Sequence, residues 1–284
     1  MFREVLCDRT KSGNDRLQFF DVSTQIGVRG PRAAEEEGEL LSPQANLRLL
    51  KQTSWSGFVY IAFLMVGIWP LAGFFPSQPP SWDAARITRV YHDNVMGIRI
   101  GMVLVLVGSM FYVPWTAMLA KLIAAVEGKP GILTFCQIIA GCTNVLLTAY
   151  PAGWWLTASF RSERDPQIVQ LLNDIAWLQF LGVIAPFYFV VISIIYASLA
   201  DEDPDPIIPR WVGWFNVFFM LDLIPLSIIF FFKSGPFAWN GLFGFYLPFA
   251  TFWVWFFVMY YAIRKSLHRL DGVPERPVAA VKVA

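Results

Sequence analysis

A single acid, Asp222, sits inside the apolar run GWFNVFFMLDLIPLSIIFFF at residues 213–232. At ~1.5 Å per residue the run is ~30 Å long as a helix, about the thickness of a bilayer core, which puts Asp222 near the midplane. An acid at that depth either handles a proton or a small molecule, or makes a hydrogen bond between helices. Leaving it ionised costs at least ~2.5–3.5 kcal/mol on insertion scales. The expectation is therefore a neutral carboxyl turned to the bundle interior, donating to Asn144 or Thr251. Pro225, one turn further on, is expected to free a backbone carbonyl near residue 221 as another acceptor. Ser109, Asn144, Tyr188 and Thr251 fall at similar depth, as do Pro114, Pro186, Pro225 and Pro248. Kinks at the prolines would open a cavity, with Asp222, Asn144, Tyr188, Thr251 and Ser109 as its candidate ligand-binding residues. The plainer reading of the layer is ordinary interhelical hydrogen bonding, worth ~0.6 kcal/mol per bond.

A second constellation gathers charges at span ends. Asp93, Asn94 and Arg99 stand at the start of the second apolar segment. Arg161, Glu163, Arg164, Asp165, Asn173 and Asp174 surround the turn between the third and fourth, and Lys233 and Asn240 flank KSGP. Arg99 lies within GIRIG, a GxxxG spacing that lets another helix approach closely. From this set Asp93, Arg99, Asp174, Lys233 and Asn240 form a candidate polar cluster, with Arg99 expected to pair with Asp93 or Asp174. A stabilising ion-pair network at headgroup depth is the favoured account of it.

Other chemistries are poorly supplied. The chain has two histidines, His92 and His268, and three scattered cysteines, Cys7, Cys136 and Cys142. That is too few for haem ligation within one chain, a His-rich metal site or a disulfide framework, so no metal and no cofactor is expected. HExxH, GxSxG and Walker A patterns are absent, and Lys121 and Lys233 fall at span ends, not where a buried Schiff base would form. The Glu35-Glu36-Glu37 run lies outside any apolar segment and reads as a solvated charge run. Net charge is +1, which gives no argument for nucleic acid as a partner.

The elements that must carry these residues follow from composition. Residues are 56% hydrophobic and 15% charged, against the ~25% charged usual for soluble domains. Six apolar segments, about 55–75, 97–120, 132–158, 174–199, 211–232 and 238–263, are each long enough to cross a bilayer, their nearest partner. Between them stand PSQPPSW, EGKPG, FRSERDP, ADEDPDPIIPR and KSGP. The fold class is an all-α, polytopic transmembrane helix bundle of about six spans, since lipid tolerates only internally satisfied backbone. Domain organisation reads as a polar tail at 1–53, a six-helix membrane domain at 54–265 and a second tail at 266–284. Ser81 is placed to cap a short amphipathic helix, and Asp165-Pro166 to start the fourth span well before the hydrocarbon. Lys and Arg flanking the spans favour both termini in the cytoplasm of an inner-membrane protein. No internal repeat of the kind found in secondary transporters is visible.

The segments VYHDNVMGIRIGM, FRSERDPQIVQLLNDIAW, PRWVGWF and FFKSGPFAWNG resemble those of a set of actinobacterial-type integral membrane proteins with no assigned activity, over about residues 80–265. The resemblance implies a six-helix architecture and a bacterial source, and brings no functional residue with it. The functional expectation is a membrane protein that binds or passes a small, largely apolar molecule. A membrane subunit of a larger assembly stands beside it, with Ala140, Gly141, Ala149 and Gly153 as a face for other subunits. The alternative is a cofactor-free membrane enzyme using intramembrane or outer-face carboxylates.

Overall fold

The computed structural model describes residues 43–270, and within them the chain is helical with no strand. Six helical stretches are long and apolar enough to cross a membrane: Ala45–Leu71, Val95–Glu127, Ile132–Phe160, Pro166–Ala200, Arg210–Phe231 and Leu242–Leu267, spans 1 to 6 here. The protein is an all-α, multi-pass integral membrane protein. Its membrane domain extends past both expected boundaries. A helix already covers Pro43–Thr53, inside the stretch read as a tail, and buries Leu50. At the other end the last helix runs to Leu270, with Ser266 donating to the Ile207 carbonyl at 2.6 Å. The readings made on Cys7 and the Glu35–Glu37 run lie outside the described residues.

Five of the spans change helix type partway along. Span 1 widens to a π turn at Gly67–Leu71 around Pro70, and span 2 tightens to 3-10 at Ser109–Phe111. Span 4 passes through a π turn at Leu178–Gly182 before the α-helix restarts at Ala185, with Pro186 in its first turn. Span 5 turns 3-10 at Ile224–Phe231. Span 6 opens with a π turn at Leu242–Tyr246 ahead of Pro248. A proline lacks the N–H that would bond four residues back, so the ladder re-forms around it with a different pitch.

Close backbone approach spends the GIRIG motif inside the chain. A side chain at Gly101 would run into the carbonyl of Gly67, and one at Gly97 into that of Leu71, so spans 1 and 2 meet through these glycines. The short amphipathic helix Ala84–Asp93 precedes span 2, and its N-cap is Asp83, accepting from Arg86 N at 2.8 Å, where Ser81 had been expected. Asp165 caps span 4, accepting from Gln167 N at 2.8 Å, with Pro166 at the first helical position. The first turns of span 4 pack on the amphipathic helix: Tyr91 donates to Asn173 Oδ1 at 3.0 Å and Gln170 Nε2 to the Trp82 carbonyl at 2.9 Å.

Candidate functional site

A cavity lies where the irregular helices meet, and each of the six spans contributes to its wall. It offers about 90 Å³ of free space, several times the ~10–15 Å³ that one water needs on the same measure. Its lining is mostly apolar and aromatic, with Phe180 and Phe187 from span 4 and Phe245, Phe249 and Phe252 from span 6. Leu223 and Leu226 flank the α to 3-10 change of span 5, and Leu181 and Ile184 flank the break in span 4. The changes of pitch hold the helices apart here, as the prolines predict.

Four polar side chains face this space. The Tyr60 hydroxyl shares a hydrogen bond with Thr148 Oγ1 at 2.8 Å. Tyr112, its ring edge-on to Tyr60 with centroids 5.2 Å apart, is 2% exposed and its hydroxyl has no hydrogen-bond partner. Asn144 donates through Nδ2 to the Ala140 carbonyl at 2.8 Å, which orients the amide and leaves Oδ1 without a bond among the described residues. The wall therefore offers one unused donor and one unused acceptor in an otherwise apolar chamber. Toward the loop 72–83, the cavity is roofed by aromatic packing: Phe74 against Trp155 and Trp177, and Trp177 against Phe245. Gln78 anchors that roof, accepting from Trp177 Nε1 at 2.8 Å through its side chain and from Trp239 Nε1 at 2.7 Å through its carbonyl.

Of the polar layer read from the sequence, only Asn144 lines the cavity. Asp222 is buried and receives the hydroxyl of Thr251, a pair that joins spans 5 and 6. The carbonyl of Leu221, expected as its other acceptor, instead accepts from the Ile224 N–H as the helix tightens. Tyr188 donates to the Leu223 carbonyl at 3.1 Å and meets Ser227 Oγ at 3.0 Å, tying span 4 to span 5. Ser109 turns back on its own helix, donating to the Leu106 carbonyl at 2.7 Å. Depth along a span is a one-dimensional coordinate, and these residues share depth without sharing a direction around their helices. Tyr60, Tyr112 and Thr148 escaped notice because a tyrosine in a span reads first as interfacial. Their signal was a hydroxyl well inside spans 1, 2 and 3.

The polar cluster at the span ends is also rearranged. Arg99 does not pair with Asp93 or Asp174; it donates to the carbonyls of Ser159 and Phe160 at 2.5 and 3.1 Å. It thus caps the end of span 3, whose last carbonyls have no partners within the helix. Asn94 does the same for span 1, donating to the carbonyls of Leu71 and Ala72 at 2.8 and 3.2 Å. Asp93 is exposed at the end of the amphipathic helix. Asp174 lies close enough to Lys233 to feel its charge. Burial first, and Asp174 second, push the Tyr91 phenol well above its ordinary range. Asn240 lies beyond KSGP, next to the buried Trp239. On the opposite face, Glu127 accepts from the backbone N–H groups of Gly131, Leu133 and Thr134 at 3.0–3.1 Å, closing the start of span 3.

Of the small residues offered to other subunits, Gly141 is already occupied within the chain by the Thr116 side chain, whereas a side chain at Gly153 would meet open space. Cys136 and Cys142 are free thiols, and no group of three His, Cys, Asp or Glu side chains among the described residues could hold a metal ion. No protein-family model, curated protein or solved structure matches the chain. The fold and the chamber between its spans define the class: a six-span helical membrane protein with an internal, largely apolar cavity.

Proposed function

We propose that the protein is a bacterial inner-membrane protein, with both termini cytoplasmic, that binds a small, largely apolar molecule carrying a single hydroxyl or carbonyl in the cavity between its spans. The observation that carries this reading is the Tyr112 hydroxyl: it is buried, lines an apolar chamber and has no partner in the protein. An unpaired buried hydroxyl costs about 1–3 kcal/mol, a deficit that an oxygen on a guest would remove. Asn144 Oδ1 and the Tyr60–Thr148 pair lie on the same wall and accommodate either a donor or an acceptor on the guest. The aromatic lining then selects for an apolar body, as in most small-molecule pockets.

The test is mass spectrometry of solvent extracts from full-length protein purified in detergent, comparing the parent with Tyr112→Phe and Leu147→Trp. The parent should carry a discrete apolar molecule with one polar oxygen. Leu147→Trp, which fills the chamber, should lose it, and Tyr112→Phe should hold it about tenfold less well. Equal yields of every co-purifying molecule from parent and Leu147→Trp would refute binding in this cavity.

A further inference from the structure

A second pocket lies at the membrane-surface end of the spans, between the amphipathic helix Ala84–Asp93, the end of span 3 and the start of span 4. Its volume is about 280 Å³. Thr88 stands on its wall, 7% exposed, with a hydroxyl that has no partner in the protein. A threonine within a helix usually satisfies its hydroxyl on the carbonyl three or four residues back, and this one does not. Two nitrogen bases reach the same space. His92 donates through Nε2 to the Ser162 carbonyl at 3.0 Å, so Nδ1 can serve a phosphate oxygen as a second donor in the imidazolium form. The Arg161 guanidinium rests 5.7 Å from the Phe160 ring centre and keeps its donors unspent on hydrogen bonds within the described residues. Glu163 lies close enough to Arg161 and Arg164 to feel their charges, and the Ser162 hydroxyl donates to it at 3.1 Å. Backbone N–H first and that hydroxyl second hold its carboxyl below the usual range.

Directly beneath this pocket runs an apolar groove. Ser159 lines the pocket, and its carbonyl is held by Arg99, which forms the head of a groove of about 380 Å³ along span 2. Ile100, Val103, Leu104 and Val107 line the groove and share one face of the helix. From residue 100 to 107 the groove follows ~10 Å of helix, enough for about eight methylenes of an extended chain.

We propose that pocket and groove together bind one anionic glycerophospholipid, its phosphate in the pocket on Arg161, His92 and the Thr88 hydroxyl and one acyl chain along span 2. The walls carry donors and positive charge, and the groove that continues them is purely apolar below Arg99, a combination that fits a phosphate tethered to a hydrocarbon chain. A choline headgroup would bring a second positive charge beside Arg161 and is disfavoured. Arg161 supplies the bidentate, charge-assisted contact that phosphate geometry suits. The site is independent of the chamber between the spans and shares no lining residue with it.

Native mass spectrometry of the full-length protein, released from detergent with equimolar phosphatidylglycerol and phosphatidylcholine, tests the assignment. The parent should retain phosphatidylglycerol about tenfold better, and Arg161→Gln, an exposed position, should abolish that preference. Thr88→Val should weaken retention while Thr88→Ser, which keeps the hydroxyl, should not. Val103→Trp should lower retention of both lipids by filling the groove, and millimolar inorganic phosphate should leave the bound lipid in place. An unchanged preference in Arg161→Gln overturns the proposal. So does displacement of the lipid by inorganic phosphate with Val103→Trp silent, which would make the pocket a site for a soluble anion.

Discussion

Replacing Asp222 by leucine removes the one acid in the core of span 5, and the structure sets how much that should matter. The residue is 8% exposed and its carboxyl is partnered by the Thr251 hydroxyl. That hydroxyl also lies 3.1 Å from the carbonyls of Leu247 and Pro248 on its own helix. Deleting the carboxyl therefore leaves Thr251 with a donor site already filled, and the loss is limited to one interhelical contact. Such contacts average ~0.6 kcal/mol in membranes and reach ~1.7. Against it stands the insertion term, on which leucine is favoured over aspartate by roughly 3 kcal/mol at the helix centre. Asp222→Leu should thus unfold no more readily than the parent by more than about 1 kcal/mol, and Asp222→Asn, which keeps shape and polarity, should match it. Unfolding by SDS titration in mixed micelles, followed by tryptophan fluorescence, measures both. Because Asp222 is not on the cavity wall, neither variant should change the yield of the co-purifying apolar molecule. A destabilisation above about 2 kcal/mol, or a tenfold loss of that molecule in a folded Asp222→Asn, would show that the carboxyl does more than join two spans.

Gly141→Leu should destabilise the bundle by about 1–3 kcal/mol or more, since its side chain would displace Thr116 and with it the Gln137 Nε2 to Thr116 bond at 3.2 Å. Gly153→Leu, facing open space, should stay within about 0.5 kcal/mol in the same titration, and any larger loss would identify that face as an interface between subunits. Reporter fusions at positions 160 and 280 should report opposite sides of the membrane, as the three spans between them require, with 280 on the cytoplasmic side; the same side for both would overturn the span count, and a periplasmic 280 the orientation.

Six spans, their approximate limits and the Asp165-Pro166 start of span 4 were legible in the residues because each is a local property. In hydrocarbon every backbone N–H and C=O must be satisfied within its own helix, so the length of an apolar run translates directly into a span. The prolines at 186, 225 and 248 likewise marked where helices would change pitch, and the cavity lies among those changes. The helix Pro43–Thr53 was missed because its charged residues masked a segment that packs by burying Leu50.

What only the tertiary structure decided is which side chains meet. Tyr60 and Thr148 share a hydrogen bond across 88 positions of sequence, and that pairing depends on the rotation of two spans about their own axes, which depth does not specify. Arg99 was read against the acids because charges are visible in a string of residues. The unpaired carbonyls of Ser159 and Phe160 that it holds exist only where a helix happens to end beside it. Asp222 was the residue most conspicuous by type, and packing gave it a neighbour on the next span. The Tyr112 and Thr88 hydroxyls are inconspicuous by type, and packing alone left them buried without partners. Local physics, carried by composition, settles how many helices cross the membrane; the relative rotation and breaks of those helices settle where a polar group is left unpaired.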